Sequence, residues 1–223
     1  MSYGVAWAMG KALHGLSILL IAGFVTIGAV RAETVRILAF GDSLTAGYGL
    51  PADQGLVPRM QAWLDAQGAD VHLVGAGVSG DTTTGGLSRL DWAMEPGLDA
   101  IMIELGANDA LRGLSPEQAR ANLAGMIEIA QAKQLDVLLV GVRVPGNYGQ
   151  DYQQAFNAVW PDLAQEYGTL YYPDFFAGIG KPPAEALEFM QDDGIHPNEK
   201  GLERIVPAIG PQIIALAERA RGD

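Results

Sequence analysis

From residue 35 onward, short apolar runs alternate with longer amphipathic stretches, and this alternation constrains the fold more than any other feature. The apolar runs are Val35–Phe40, Val71–Val74, Ala100–Leu105, Val137–Val142 and Leu170–Tyr172. Helix-like segments lie near Pro58–Ala66, Thr83–Asp91, Pro116–Lys133 and Asp151–Tyr167, with a last one near Asn198–Arg219. Strands separated by helices form βαβ units, which predict an α/β fold with a central, mostly parallel five-stranded sheet and helices on both faces. Ser115-Pro116-Glu117 is a helix start, with a cap, a proline at the first helical position and an acid in the first turn. Pro207 and Pro211 fall inside the last helical stretch and predict a kinked or split helix. No internal repeat or Pro/Gly/Ser linker interrupts the pattern, so 33–223 reads as one domain.

Composition removes several classes of function. The formal charge of −12 leaves no basic stripe to neutralise phosphates, which argues against a nucleic-acid partner. It also argues against electrostatic docking on anionic lipid. The chain has no cysteine, so disulfides, thiol catalysis and thiolate metal sites are excluded.

Residues 1–32 read as a separate segment. Lys11 precedes an uncharged run from Ala12 to Val30, apolar from Leu16 onward, and Val30-Arg31-Ala32 forms an A-x-A-like site. This is the pattern of a secretory signal peptide cleaved after Ala32. The alternative is a retained membrane anchor, since the run approaches the length that spans a bilayer. The expected location is the bacterial periplasm, or an exported or membrane-anchored state.

Four polar stretches recur beside the apolar framework. They are Gly41-Asp42-Ser43-Leu44, Gly75–Thr82, Glu104–Asp109 and Asp192–Pro197. The first three follow strands, and in a parallel sheet the strand C-termini share one edge where ligands bind. Ser43 there is a nucleophile if a base reaches it; otherwise it caps a helix or binds phosphate. Of the three histidines, His14 lies in the leader and His72 lies inside a strand, facing solvent or a helix, which leaves His196 as the base. Asp193 precedes His196 by three residues with Gly194 between, so carboxylate and imidazole can meet; Asp192 competes for that role. Gly80, Asn108 and the Ser43 N–H are candidate oxyanion donors, with an ordinary turn and an Asx cap as the bland readings of the first two. Neither serine turn fits the Gly-x-Ser-x-Gly elbow, and no lysine supports a phosphate loop.

These four blocks resemble those of the GDSL-type, or SGNH, hydrolases. The four letters of SGNH correspond here to Ser43, Gly80, Asn108 and His196, with Asp193 as the triad acid. The stretches Gly41–Gly47, Ser79–Thr82, Glu104–Gly113, Pro145–Gly149 and Gln191–Asn198 are similar to the multifunctional thioesterase I/lysophospholipase (arylesterase) branch. The resemblance implies a flavodoxin-like three-layer α/β/α sandwich and a shallow, open site. It implies hydrolysis of esters and thioesters without metal or organic cofactor. The expected partner is a small-molecule ester or thioester, with lysophospholipid as a candidate, and no nucleic acid or obligate protein. An O-acetyl esterase, an acyltransferase and a non-catalytic binding protein are the competing readings.

Asp42, Asp81 and Asp109 read as carboxylates that fasten loops. Leu111, Tyr148 and Pro145 are the candidate substrate-binding residues. Leu114 and Val144 belong either to the same apolar floor or to the core. Arg112 and Arg143 are candidates for the mouth of the site.

Overall fold

The structure is a computed structural model that describes Met1 and residues 34–144, 146–180 and 186–222. The leader segment and Pro145 therefore lie outside the described residues. The unit spanning residues 33–223 carries the fold.

Five strands form one sheet in the order β2-β1-β3-β4-β5: β1 Val35–Gly41, β2 Val71–Gly77, β3 Ala100–Glu104, β4 Asp136–Val140 and β5 Leu170–Tyr172. Every pairing is parallel. The central strands β1 and β3 are apolar on both faces because helices cover both, and β3 is buried throughout. His72 sits on β2 and is exposed, at the solvent edge of the sheet.

The longer helices are α2 (Leu56–Ala66), α3 (Thr83–Ala93), α5 (Pro116–Ala132), α6 (Gln150–Tyr167) and α7 (Glu199–Arg221). Short helices α1 (Ser43–Ala46) and α4 (Ala107–Leu111) directly follow β1 and β3. The Ser115 hydroxyl accepts the Gln118 N–H and caps α5 as its sequence demands.

The last helix is not split at its prolines. α7 runs unbroken through Pro207 and Pro211. Both prolines lie on its exposed face, where water can satisfy the carbonyls they leave free. The opposite face buries Leu202, Ile205, Ile209, Ile213 and Leu216, and that packing holds the helix together.

The strand order fixes where a ligand can sit. From β1 the chain crosses one way to β2 and then returns to place β3 on the other side. The crevice where the order reverses lies between the C-terminal ends of β1 and β3. Gly41 and Glu104 are register partners at that edge, so the segments that follow them, carrying Ser43 and Asn108, emerge side by side.

Candidate active site

β1 ends at Gly41, and the chain turns at once. Asp42 caps α1: its Oδ1 accepts the Leu44 N–H at 2.9 Å. The turn is tight because Gly41 has no side chain; a Cβ there would overlap the Thr45 hydroxyl. Gly47 closes α1 in the left-handed region at φ 74°. Ser43 thus stands at the first position of a one-turn helix.

The Asp192–Pro197 loop brings the imidazole. Asp193 Oδ1 accepts the N–H groups of Ile195 (2.9 Å) and His196 (3.0 Å), folding the loop back on itself. Its Oδ2 lies 2.6 Å from His196 Nδ1, and His196 Nε2 lies 2.8 Å from Ser43 Oγ. Burial opposes the Asp193 charge, but the His196 ring and the two backbone N–H groups outweigh it and bring the carboxyl down to about 2. Asp193, not Asp192, meets the ring.

Two further blocks complete the edge. Gly80 has φ +82°, a conformation that favours glycine, and among the described residues its N–H has no hydrogen-bond partner. Asn108 on α4 donates its side-chain amide to Asp42 Oδ2 at 3.1 Å, and among the described residues its second amide hydrogen has no partner. The structure therefore joins Ser43, His196 and Asp193 in one hydrogen-bonded chain, with Asn108 tied to the neighbouring Asp42, while Arg112 donates to the Gly80 carbonyl at 2.8 Å.

The three flanking carboxylates fasten loops as the sequence suggests. Asp42 is fully buried, and that burial raises its carboxyl to about 6 against the pull of the Leu44 N–H and the Asn108 amide. Asp109 accepts the Thr83 N–H (2.8 Å) and hydroxyl (2.6 Å), pinning α4 to the start of α3. Asp81 pairs with Arg89 at 2.6 Å.

The candidate substrate residues divide. Leu111 and Tyr148 are exposed, and the Tyr148 hydroxyl donates to the Leu111 carbonyl at 2.9 Å. Tyr148 also begins a row of rings, Tyr148–Tyr152–Phe156–Trp160, with centroids 5.3–5.5 Å apart. Leu114 is exposed, whereas Val144 is core. Pro145 lies outside the described residues. Arg143 points into solvent and pairs with Asp174 at 3.4 Å.

Four residues escape a motif reading. Arg89 donates to the carbonyls of Ala76 (3.0 Å) and Gly41 (2.8 Å) besides holding Asp81, so it ties the Gly80 loop to β1. Glu104 is fully buried beneath the serine turn and accepts the Thr45 hydroxyl at 2.9 Å. Tyr48 packs its ring on His196, with centroids 4.6 Å apart. Gln191 joins the serine turn to the histidine loop. Gln191 and Glu104 open the blocks that carry the histidine and Asn108, and Tyr48 follows the serine block directly; Arg89 carries no local signal.

Residues 39–204 match the GDSL-like Lipase/Acylhydrolase family. The chain belongs to that family. It is a serine esterase. It is 39% identical over 189 residues to esterase TesA of Pseudomonas aeruginosa, covering 83% of this chain and 91% of that one. It is 37% identical over 192 residues to thioesterase 1/protease 1/lysophospholipase L1 of Escherichia coli K12, covering 86% and 88% respectively. The crystal structure of the psychrotrophic esterase EstA from Pseudoalteromonas sp., inhibited by monoethylphosphonate, superposes with a TM-score of 0.74 at 33% identity, over 80% of this chain and 96% of that one.

Proposed function

We propose that Ser43 is the nucleophile of this esterase, His196 its general base and Asp193 the acid that orients the imidazole. The observation that carries the reading is the continuous chain Ser43 Oγ–His196 Nε2 (2.8 Å) and His196 Nδ1–Asp193 Oδ2 (2.6 Å). His196 takes the Ser43 proton as Oγ bonds to the ester carbonyl carbon. The N–H groups of Ser43 and Gly80 and the free Asn108 amide hydrogen receive the developing oxyanion. His196 then protonates the departing alcohol or thiol as its bond to carbon breaks. Water, deprotonated by the same imidazole, cleaves the acyl-Ser43 ester and restores the hydroxyl.

The substrates are small carboxylic esters and thioesters: aryl esters, acyl esters and lysophospholipids. Supporting this are the names borne by the relatives above and the exposed apolar residues Leu111 and Tyr148 beside Asn108. Together with Pro145, these are the proposed acyl-chain contacts. The enzyme is exported to the periplasm after loss of residues 1–32, a reading supported by the uncharged run and the Val30-Arg31-Ala32 site. The intact mass of the protein recovered from the periplasm checks that boundary.

Hydrolysis of p-nitrophenyl esters from acetate to palmitate, by residues 33–223 and by Ser43→Ala, tests the assignment. Turnover that disappears in folded Ser43→Ala supports it, and Ser43-independent turnover rejects it. The chain length at the optimum identifies the acyl class. Activity is expected to fall on acidification, because a protonated imidazole cannot accept the serine proton.

A further inference from the structure

Ser43 and His196 sit on segments that are distant in sequence, and their 2.8 Å contact must be held by something other than itself. Among the described residues, only one other hydrogen bond joins the serine turn (42–50) to the histidine loop (190–197). It runs from Gln191 Nε2 to the Tyr48 carbonyl, 2.7 Å, across 143 positions of sequence. The same nitrogen donates to the Pro197 carbonyl at 3.0 Å, so both amide hydrogens are used.

The backbone of Gln191 extends the connection. Its N–H donates to the His196 carbonyl at 2.8 Å, and its carbonyl accepts the Gly194 N–H at 2.9 Å. On the other side, the Tyr48 N–H donates to the Ser43 carbonyl at 3.1 Å. A path of three hydrogen bonds, Ser43–Tyr48–Gln191–His196, therefore runs parallel to the catalytic contact. The Tyr48 ring, carried by the peptide that Gln191 grips, packs on the imidazole. Gly49 leaves room for the amide: a Cβ there would overlap Gln191 Oε1.

We propose that Gln191 is a positioning residue whose side-chain amide, bonded to the Tyr48 and Pro197 carbonyls, sets the separation and angle between Ser43 and His196. The inference rests on the Ser43–His196 reading above. The histidine loop is otherwise tied by Asn198, whose amide donates to the carbonyls of Glu188 and Met190. Those bonds anchor the loop to its own neighbours and place no constraint on its distance from Ser43. A misplacement of about 1 Å between reacting groups costs on the order of 10²-fold in rate.

The test compares wild type with Gln191→Met, which keeps the length and loses both donors, and Gln191→Glu, which keeps the shape and replaces the donors with an acceptor. Active sites are counted by stoichiometric reaction with a phosphonate ester, and kcat is expressed per titrated site on p-nitrophenyl butyrate. Both variants are expected to lose about 10- to 10²-fold in kcat per titrated site with KM within twofold. Their phosphonylation rates are expected to fall in step, because that reaction needs the same activated Ser43. In Gln191→Glu, the ratio of its kcat to that of wild type is expected to rise toward acid, where the carboxyl regains a proton to donate. A purely structural role predicts fewer titrated sites with unchanged kcat in each, and that result overturns the proposal. Ser43→Ala separates the failures: if it retains activity the nucleophile assignment falls, whereas if it is inert while Gln191→Met turns over normally, only the positioning role falls.

Discussion

On the serine side of the site, polar groups are buried outright. Asp42 and Glu104 are both 0% exposed, stacked beneath Ser43 at the end of β1 and β3. On the histidine side, the Asp193 side chain is 36% exposed, and the loop is held by short-range hydrogen bonds and the Gln191 amide. Both arrangements serve one 2.8 Å contact. The serine turn is fixed by the sheet and by the cost of disturbing a packed interior. The histidine loop is buried at its ends, Met190 and Pro197, and between them depends on individual hydrogen bonds. Changes on the histidine side should therefore act on rate with little effect on stability, whereas changes beneath the serine should act on stability and its pH dependence.

The largest effect expected is from Ser43→Ala, which removes the proposed nucleophile and should lower kcat by on the order of 10⁶-fold while the unfolding midpoint hardly moves. Asp193→Asn keeps the loop's shape but deprives the imidazole of its carboxylate, and about 10⁴-fold should go from kcat. Steady-state kinetics and thermal unfolding on the same samples check both, and a large drop in midpoint for Asp193→Asn would break the contrast between the two sides. Asn108→Ala should cost 10²- to 10³-fold in kcat as one oxyanion donor disappears; near-full turnover would remove Asn108 from that role.

The smallest effect is the sharpest test of the serine side. Burial, aided by the Asp42 charge, drives the Glu104 carboxyl well above the usual carboxylate range. A carboxyl raised in the folded state binds protons there that the unfolded chain has released, so stability falls as pH rises above the unfolded value near 4.5. Asp42, raised to about 6, adds a penalty of the same sign between its unfolded value near 3.8 and pH 6. Glu104→Gln, which keeps the acceptor for Thr45, should match wild type in stability near pH 4 and exceed it increasingly toward pH 8. Chemical denaturation across that range measures the gap. Asp193 works in the opposite direction: its carboxyl, lowered to about 2, contributes stability above its unfolded value near 3.8 that is lost as pH falls through 2, and the contribution is small because water screens a side chain more than a third exposed.

The sheet and the Ser43–His196–Asp193 cluster were legible in sequence for a shared reason. Buried parallel strands read as continuous apolar runs, and the Ser43, Asn108 and Asp193–His196 segments carry small residues and turn formers wherever a backbone must bend beside a reacting group. The supporting residues lie in or beside those segments, but their roles carry no local mark. Arg89, Glu104 and Gln191 act across long sequence separations, and no local spacing foretells that a glutamine will meet a carbonyl 143 positions away. The prolines of α7 allow a split that does not occur, because the apolar face that keeps the helix whole is a property of the assembled core. Tyr148 reads as a substrate contact by its place near the site, yet its hydroxyl also clasps the Leu111 carbonyl, a contact visible only in the fold.

If Ser43 alone among the serines is activated, a reagent that reacts only with activated hydroxyls will find it and no other. Incubation with a phosphonate ester, followed by intact mass and peptide mapping, should give one adduct per chain. The adduct should lie on the peptide carrying Ser43, with esterase activity lost in proportion to labelling. An adduct on Ser79, Ser88 or Ser115, or full activity after Ser43 has been labelled, would contradict it.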